Sequence, residues 1–528
     1  MADRQYKLLQ QQDFTGGLNF RADQFSLAAN ESPDLLNIDV DPRGGVKLRN
    51  GVEAHNSSAT ANTITNVWEH HETGGTSQIM VSHGNKVAYS TSGSFTDVIG
   101  GGGQPAANSV TTLSRGVTFN NINYSQNGTD QPLKWDGGTA TRLTQSFNDS
   151  LTPAGGNMPI ATHVAVWAEH VWVADTTESG AGYPSRLRWS HTDQAEDWNS
   201  DHYVDVNVGE HGDRITALVP FGDRLLVFKQ NSVHAIYGFD TESFQLVTLT
   251  NDIGARMNTN PVVSRLGVFF WFAEQGVYVY NDNGFAWVFE KIVPAVKDGS
   301  IGLTNPPSLM WGENRLYVSV DWGSDRRVFV FDPTLAKGGS WVVHDIDVNA
   351  LFRHRPPNAA HVMFGVKGGR LVKLEQSRTS DSYDGSATTH ISSHYRTSWF
   401  DAKMPTVRKR WGRPRTVVLA DASITLPFKV YSDYDMADVH RSFNAVIPGR
   451  SSASIWGAGG GAATWQDAEG TQGNGVWASP AEDSATDIQK HPTLGTASSI
   501  SVKVEGPTTN NTWELNALTL TYMVRRLR

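Results

Sequence analysis

The 528-residue chain contains no cysteine. Disulfides and thiolate metal sites are therefore excluded. It also lacks long apolar runs: the densest, residues 267–272, is far too short to span a bilayer. No long stretch repeats an apolar residue at helical spacing. The nearest, residues 26–38, is short and interrupted by Pro33. The opening MADRQYKLLQQQ has no apolar core of the kind a secretory signal needs, so the protein is expected to be made soluble in a cytoplasm, or to be exported by a route the sequence does not show. Positive charge is scarce too. The net charge is −9, the wrong sign for a surface that neutralises phosphates throughout. That balance still permits a local basic patch, or a conduit that DNA passes without sticking.

Catalytic signatures are equally sparse. There is no H-E-x-x-H, no G-x-S-x-G and no Walker A sequence. Glu69-His70-His71-Glu72 groups metal-binding residue types, but neighbours on a strand face opposite ways and cannot all converge. Ser190, His191 and Asp193 share one loop and fit a hairpin turn better than a triad, whose members come from distant places. Asp193, Glu196 and Asp197 are the candidates for a paired-carboxylate glycosidase site. Their segment, SHTDQAEDW, departs from the sialidase Asp-box S-x-D-x-G-x-x-W in spacing and in its glycine, and it occurs once. No catalytic residue, metal or cofactor is expected.

What is abundant is tryptophan, with 17 residues, and glycine, with 50. Aromatics between many tight turns favour strands. Apolar content of 39% against 18% charged is enough for a large core. Residues 186–281 show the pattern most clearly, as short apolar strand, polar turn, short apolar strand. Comparable units run from about residue 62 to 375. Roughly 310 residues at ~40–50 per four-stranded blade gives about six or seven blades. The predicted fold is all-β: an N-terminal arm over 1–60, a β-propeller over 61–376, and a C-terminal β-sandwich over 377–528. A pair of sandwiches is the competing architecture. In the arm, Asn30 or Ser32 is placed to cap a short helix through Leu36. A Gly- and Trp-rich excursion, 432–496, interrupts the sandwich.

One segment breaks the acidic balance. Lys403, Arg408, Lys409, Arg410, Arg413 and Arg415 crowd together around Trp411, and Arg525, Arg526 and Arg528 end the sequence. These residues are candidates for docking on an acidic neighbour or for contacting DNA phosphates in a channel. Trp456, Trp465 and Trp477 of the excursion are candidate inter-subunit contacts, since tryptophan is favoured at interfaces. The thinly apolar arm must lie on the body or on a neighbour.

Four stretches together carry a resemblance. They are GGLNFRADQFSLAANESPDLLNIDVDPRGGVKLRNG in the arm, NGTDQPLKWDGG, RLRWSHTDQAEDWNS with ITALVPFGDRLLVFKQNSVHAIYG, and RPRTVVLADASITLPFKVYSDYD with ISVKVEG and LTLTYMVRR at the finish. The chain resembles the β-propeller tail nozzle, or tail hub, proteins of short-tailed bacteriophages, which include tail tubular and packaged-DNA-stabilising members. The likeness spans nearly the whole chain, through turn-and-strand motifs. It implies a virion tail protein without chemistry of its own. Its copies would form a ring, commonly of six, below the portal and head–tail adaptor. The ring would continue the double-stranded DNA channel, retain the genome until ejection, and meet tail fibre or spike proteins. In that setting Phe14, Leu18, Phe20, Leu35 and Leu36 of the arm are candidate adaptor contacts. A minor tail or baseplate protein touching the host surface in a longer tail, and a glycan-active propeller enzyme, are the alternatives.

Overall fold

The computed structural model describes the chain except residues 1–5, 24, 75–76, 149–154, 208–212, 357–358, 448–454, 457–464, 467–491 and 525–528; for 455–456 and 465–466 it describes the backbone alone. Seven sheets of four or five antiparallel strands follow one another along residues 64–376. Their first full-length strands, Ile64–His71, Arg115–Phe119, Ile160–Trp167, Ile215–Phe221, Val262–Ser264, Ser308–Gly312 and Leu351–His354, are neighbours in turn. The last of them also neighbours the first, so the ring is closed. The fold is a seven-bladed β-propeller joined to a β-sandwich.

The strands form where the apolar pattern demands it. A middle strand of a blade is covered on both faces by the adjacent blades, so it reads as a continuous apolar run. Arg224–Lys229 (RLLVFK), Gly267–Phe272 (GVFFWF) and Asp325–Asp332 (DRRVFVFD) are such strands, almost wholly buried. The run that is too short for a membrane is thus the second strand of blade five. Separate apolar clusters fill the gaps between successive blades. Among the described residues no helix is long and apolar enough to cross a membrane.

The arm is built into the body. Gly51–Ala54, within the expected arm, is the fourth strand of blade seven and pairs with Arg370–Gln376. This pairing of distant segments closes the ring. Lys7–Gln11 and Val46–Leu48 pair with the long strand Trp513–Val524 in the seven-stranded sheet of the sandwich. Leu35–Leu36 pairs with His394–Arg396 in the facing five-stranded sheet. The helix expected to run through Leu36 does not form. Tertiary pairing overrides the local capping signal: Glu31–Ser32 pairs with Gly17–Leu18, and Leu35–Leu36 is taken up as a strand of the sandwich. The largest apolar cluster accordingly mixes Phe14 and Leu18 of the arm, Trp341 of blade six, and Trp411 and Trp513 of the sandwich.

Candidate interaction surface

The basic segment straddles two strands of the seven-stranded sheet, Lys409–Trp411 and Arg415–Ala420, and alternation divides its side chains. Arg410 faces out while Lys409 and Trp411 face in. Lys409 is therefore a correction to the expected contact set. Its side chain is fully buried, and Nζ donates to the carbonyls of Met404, Val407 and Ser498 at 2.6, 2.8 and 2.7 Å. Burial pulls its pKa down. An ammonium with every proton committed and no exposed surface meets no partner. Trp411, between the arginines in sequence, packs in the core with its indole N–H on the Ala497 carbonyl.

Lys403, Arg408, Arg410, Arg413 and Arg415 are exposed. Among the described residues, Arg410, Arg413 and Arg415 make no ion pair or side-chain hydrogen bond. Strand register sets two of them on one face. Arg410 lies opposite Met523 and Thr496, and Arg415 lies opposite Thr519. On the far side of the same long strand, Leu8 lies opposite Thr521 and Gln10 opposite Thr519. Directly paired residues share a face. The result is an outward surface of two arginines, threonines and Met523, with Leu8 61% exposed beside them.

The arm residues expected to meet an adaptor are placed otherwise. Phe14 and Leu18 are fully buried and Leu35 is nearly so, while Phe20 and Leu36 pack partly buried against the same core. Phe14 meets the Tyr395 ring edge-on at 5.2 Å. Apolar surface already spent inside the chain is not free for another protein, so Phe14, Leu18 and Leu35 are corrected to core residues. Trp456 and Trp465 lie on short strands that pair with each other. Trp477 lies outside the described residues.

Of the acidic candidates, Glu196 is engaged in scaffold, Asp197 is buried, and Asp193 makes no ion pair among the described residues. Glu196 accepts from the Tyr124 hydroxyl at 2.9 Å and the Gly156 N–H at 2.8 Å, and pairs with Lys134 at 2.5 Å. Ser190 Oγ accepts the Val171 N–H and donates to the His191 carbonyl, so its proton is not offered to a base. Glu69 and His71 share one face of their strand and His70 turns to Glu72 on the other, as alternation requires. Sequence reasoning missed what Glu69 does. It reaches from blade one to His354 of blade seven at 2.9 Å, across the closure of the ring. Among the described residues no group of three or more histidines and acids is arranged to hold a metal. A cleft of about 520 Å³ on blades six and seven is mostly polar, lined by residues that include Asn305, Asp325 and Asn349. Its main charges are matched internally, Arg326 with Asp321 and Lys367 with Asp347.

A second exposed feature involves blades three and four. The turn after Val233–Tyr237 presents Phe239, 76% exposed. It is held by Ser243, whose Oγ accepts the N–H groups of Phe239 and Asp240 at 3.0 and 3.1 Å and whose own N–H donates to Asp240 Oδ1 at 2.8 Å. Those Ser243 bonds keep the Asp240 carboxyl below the usual carboxylate range. Glu169 and Asp193 are tied together by the Asp193 N–H to Glu169 carbonyl bond of 2.9 Å. Both act electrostatically on the buried His170 ring, as Asp240 does.

No family model and no curated protein matches the chain. Among solved structures it is similar to BBS1N in complex with ARL6DN, at 13% identity over 62% of this chain and 97% of that one, with a TM-score of 0.36. It is also similar to U3-55K, at 10% identity over 61% and 98% with a TM-score of 0.39. A third is YCF48 bound to D1 peptide, at 8% identity over 65% and 98% with a TM-score of 0.36. The likeness concerns fold alone, and the blade count rests on the strand pairing above.

Proposed function

We propose that this chain is a structural subunit of a bacteriophage tail, a nozzle or hub protein whose copies form a ring around the DNA path below the head–tail adaptor. The observation that carries the reading is the stitching of the first 54 residues into both sandwich sheets and the last propeller blade. A conduit under load needs a body that does not come apart. Here a reducing-compartment protein without disulfides reaches that end by strand exchange between distant segments. The sequence resemblance to tail nozzle proteins supplies the setting, and the unpaired outward arginines supply a contact surface.

The role is assembly and retention of DNA, with the virion tail as location. Adaptor, fibre or spike proteins and the passing duplex are the partners. Fold likeness alone carries none of this. The test is to image the purified full chain by negative stain and to locate it in whole virions with a specific antibody. Rings, and label at the tail, are expected. A chain that stays monomeric at all concentrations and is absent from virions overturns the reading.

A further inference from the structure

We infer that the outward face of the seven-stranded sandwich sheet docks onto the Phe239 turn of a second copy of this chain, head to tail. The inference rests on the ring reading above and deepens it by naming the two surfaces that meet.

The first surface is basic and apolar at once. Arg410 and Arg415 stand unpaired on it, and Leu8 and Tyr6 are 61% and 54% exposed beside them. Phosphate contacts along a duplex would satisfy the arginines but leave the exposed leucine and tyrosine facing a charged backbone, since apolar contacts to DNA are made inside its grooves. A protein partner uses both.

The second surface is the complement. Phe239 is the most exposed large apolar residue of the described chain. Around it stand Asp240 and Glu242 in the same turn. Glu169 adjoins His170, whose ring meets the Phe244 ring at 5.3 Å, and Asp193 is bonded to Glu169 through its N–H; none of these four carboxylates has an ion pair among the described residues. The turn is already fixed by its Ser243 bonds, so docking Phe239 orders little that was free. A rigid aromatic knob with an acidic surround thus matches an apolar sheet face with arginines on it. Like charges rule out each surface meeting itself. The contact is therefore between unlike patches, the type that closes into a ring when its rotation permits.

Charge reversal with mixing tests this. One full-length variant carries Glu169→Lys and Glu242→Lys, which leave the Ser243–Asp240 bonds of the turn in place; the other carries Arg410→Glu and Arg415→Glu. All four positions lie outside the core, and circular dichroism checks that each variant folds. Sedimentation velocity reads assembly. Each variant alone should self-associate about tenfold or more weakly than the wild type. An equal mixture should regain assembly, because reversed turn meets reversed face. Wild-type-like assembly of either variant, or failure of the mixture to recover, overturns the docking while leaving the ring reading standing. A wild type that never assembles overturns both. If the arginine variant assembles normally but loses binding to a short duplex DNA, the face belongs to DNA and the inference fails.

Discussion

Arg49 and Asp381 form a buried, two-pronged ion pair, Nη1 to Oδ1 at 2.9 Å and Nη2 to Oδ2 at 2.6 Å. Arg49 also donates from Nε to Asn37 Oδ1 at 2.8 Å, and Asp381 accepts the Val52 N–H at 3.1 Å. The pair sits where the arm leaves the sandwich and enters blade seven, so it fixes the joint between the two halves of the body.

Removing one partner should therefore be far worse than removing both. Arg49→Met leaves a buried carboxylate uncompensated and is expected to cost about 3–5 kcal/mol. Arg49→Met with Asp381→Leu should recover a substantial part of that loss. Urea denaturation of the three proteins decides it; equal destabilisation by the single and double changes would speak against a joint held by charge pairing.

Lys409 and Arg410 are adjacent and should behave as opposites. Lys409→Met takes the ammonium donor from the partly buried carbonyls of Val407 and Ser498, while the Met404 carbonyl keeps the Val407 N–H, and is expected to lose about 1–3 kcal/mol. Within one subunit Arg410→Ala removes no contact, and at dilutions where the chain is monomeric it should stay within about 0.5 kcal/mol of the wild type. Thermal melts of both variants provide the comparison, and a destabilised Arg410→Ala would contradict the assignment of faces.

Gly17 has a left-handed φ of +64°, and a Cβ there would run into Ser340 Oγ and the Trp341 carbonyl of blade six. Gly17→Ala should lift the arm from the propeller. Limited proteolysis is expected to cut the variant within residues 13–32 well before the wild type. An unchanged digestion pattern would mean the arm is held elsewhere.

Acid should unfold the protein in two stages. Burial lowers His55 and His202 to about 4, from an ordinary value of 6.5. The unfolded chain therefore takes up these protons first, and their contribution, complete above 6.5, is lost as pH falls towards 4. Burial alone would raise the pKa of Glu69 and Asp34, but other contacts outweigh it and lower both. Those contacts are hydrogen bonds from His354 and His71 to Glu69, and from His394 and Lys503, with their charges, to Asp34. The carboxylate contributions are present above the unfolded values near 4 and go only at lower pH. Denaturation midpoints measured from pH 8 to 3 should be flat above 7 and then fall in both windows. His55→Phe should flatten part of the upper one.

Much of the propeller is legible in the sequence because its middle strands are covered on both faces. VFFWF at 268–272 and LLVF at 225–228 need no partner to be recognised as strands. The arm is not legible in this way. Its strands are two to five residues long; Gly17–Leu18 pairs with the nearby Glu31–Ser32, but the partners of Lys7–Gln11, Leu35–Leu36 and Gly51–Ala54 lie hundreds of positions away. Local pattern at Leu35-Leu36 suggested a helix because the strand that claims them, His394–Arg396, is invisible at short range. The basic segment reads as one cluster of charge in sequence, yet alternation sends Lys409 into the core and Arg410 outward.

By itself, then, the sequence determined the all-β class, the repeating blade, the acidic balance and the absence of thiol chemistry. These follow from composition and from a period of two, which are local properties. Tertiary structure decided the seven blades, the closure of the ring by Gly51–Ala54, and which basic residues face solvent. Those depend on pairing between residues far apart in the chain, whose register and burial are fixed only when the whole body packs.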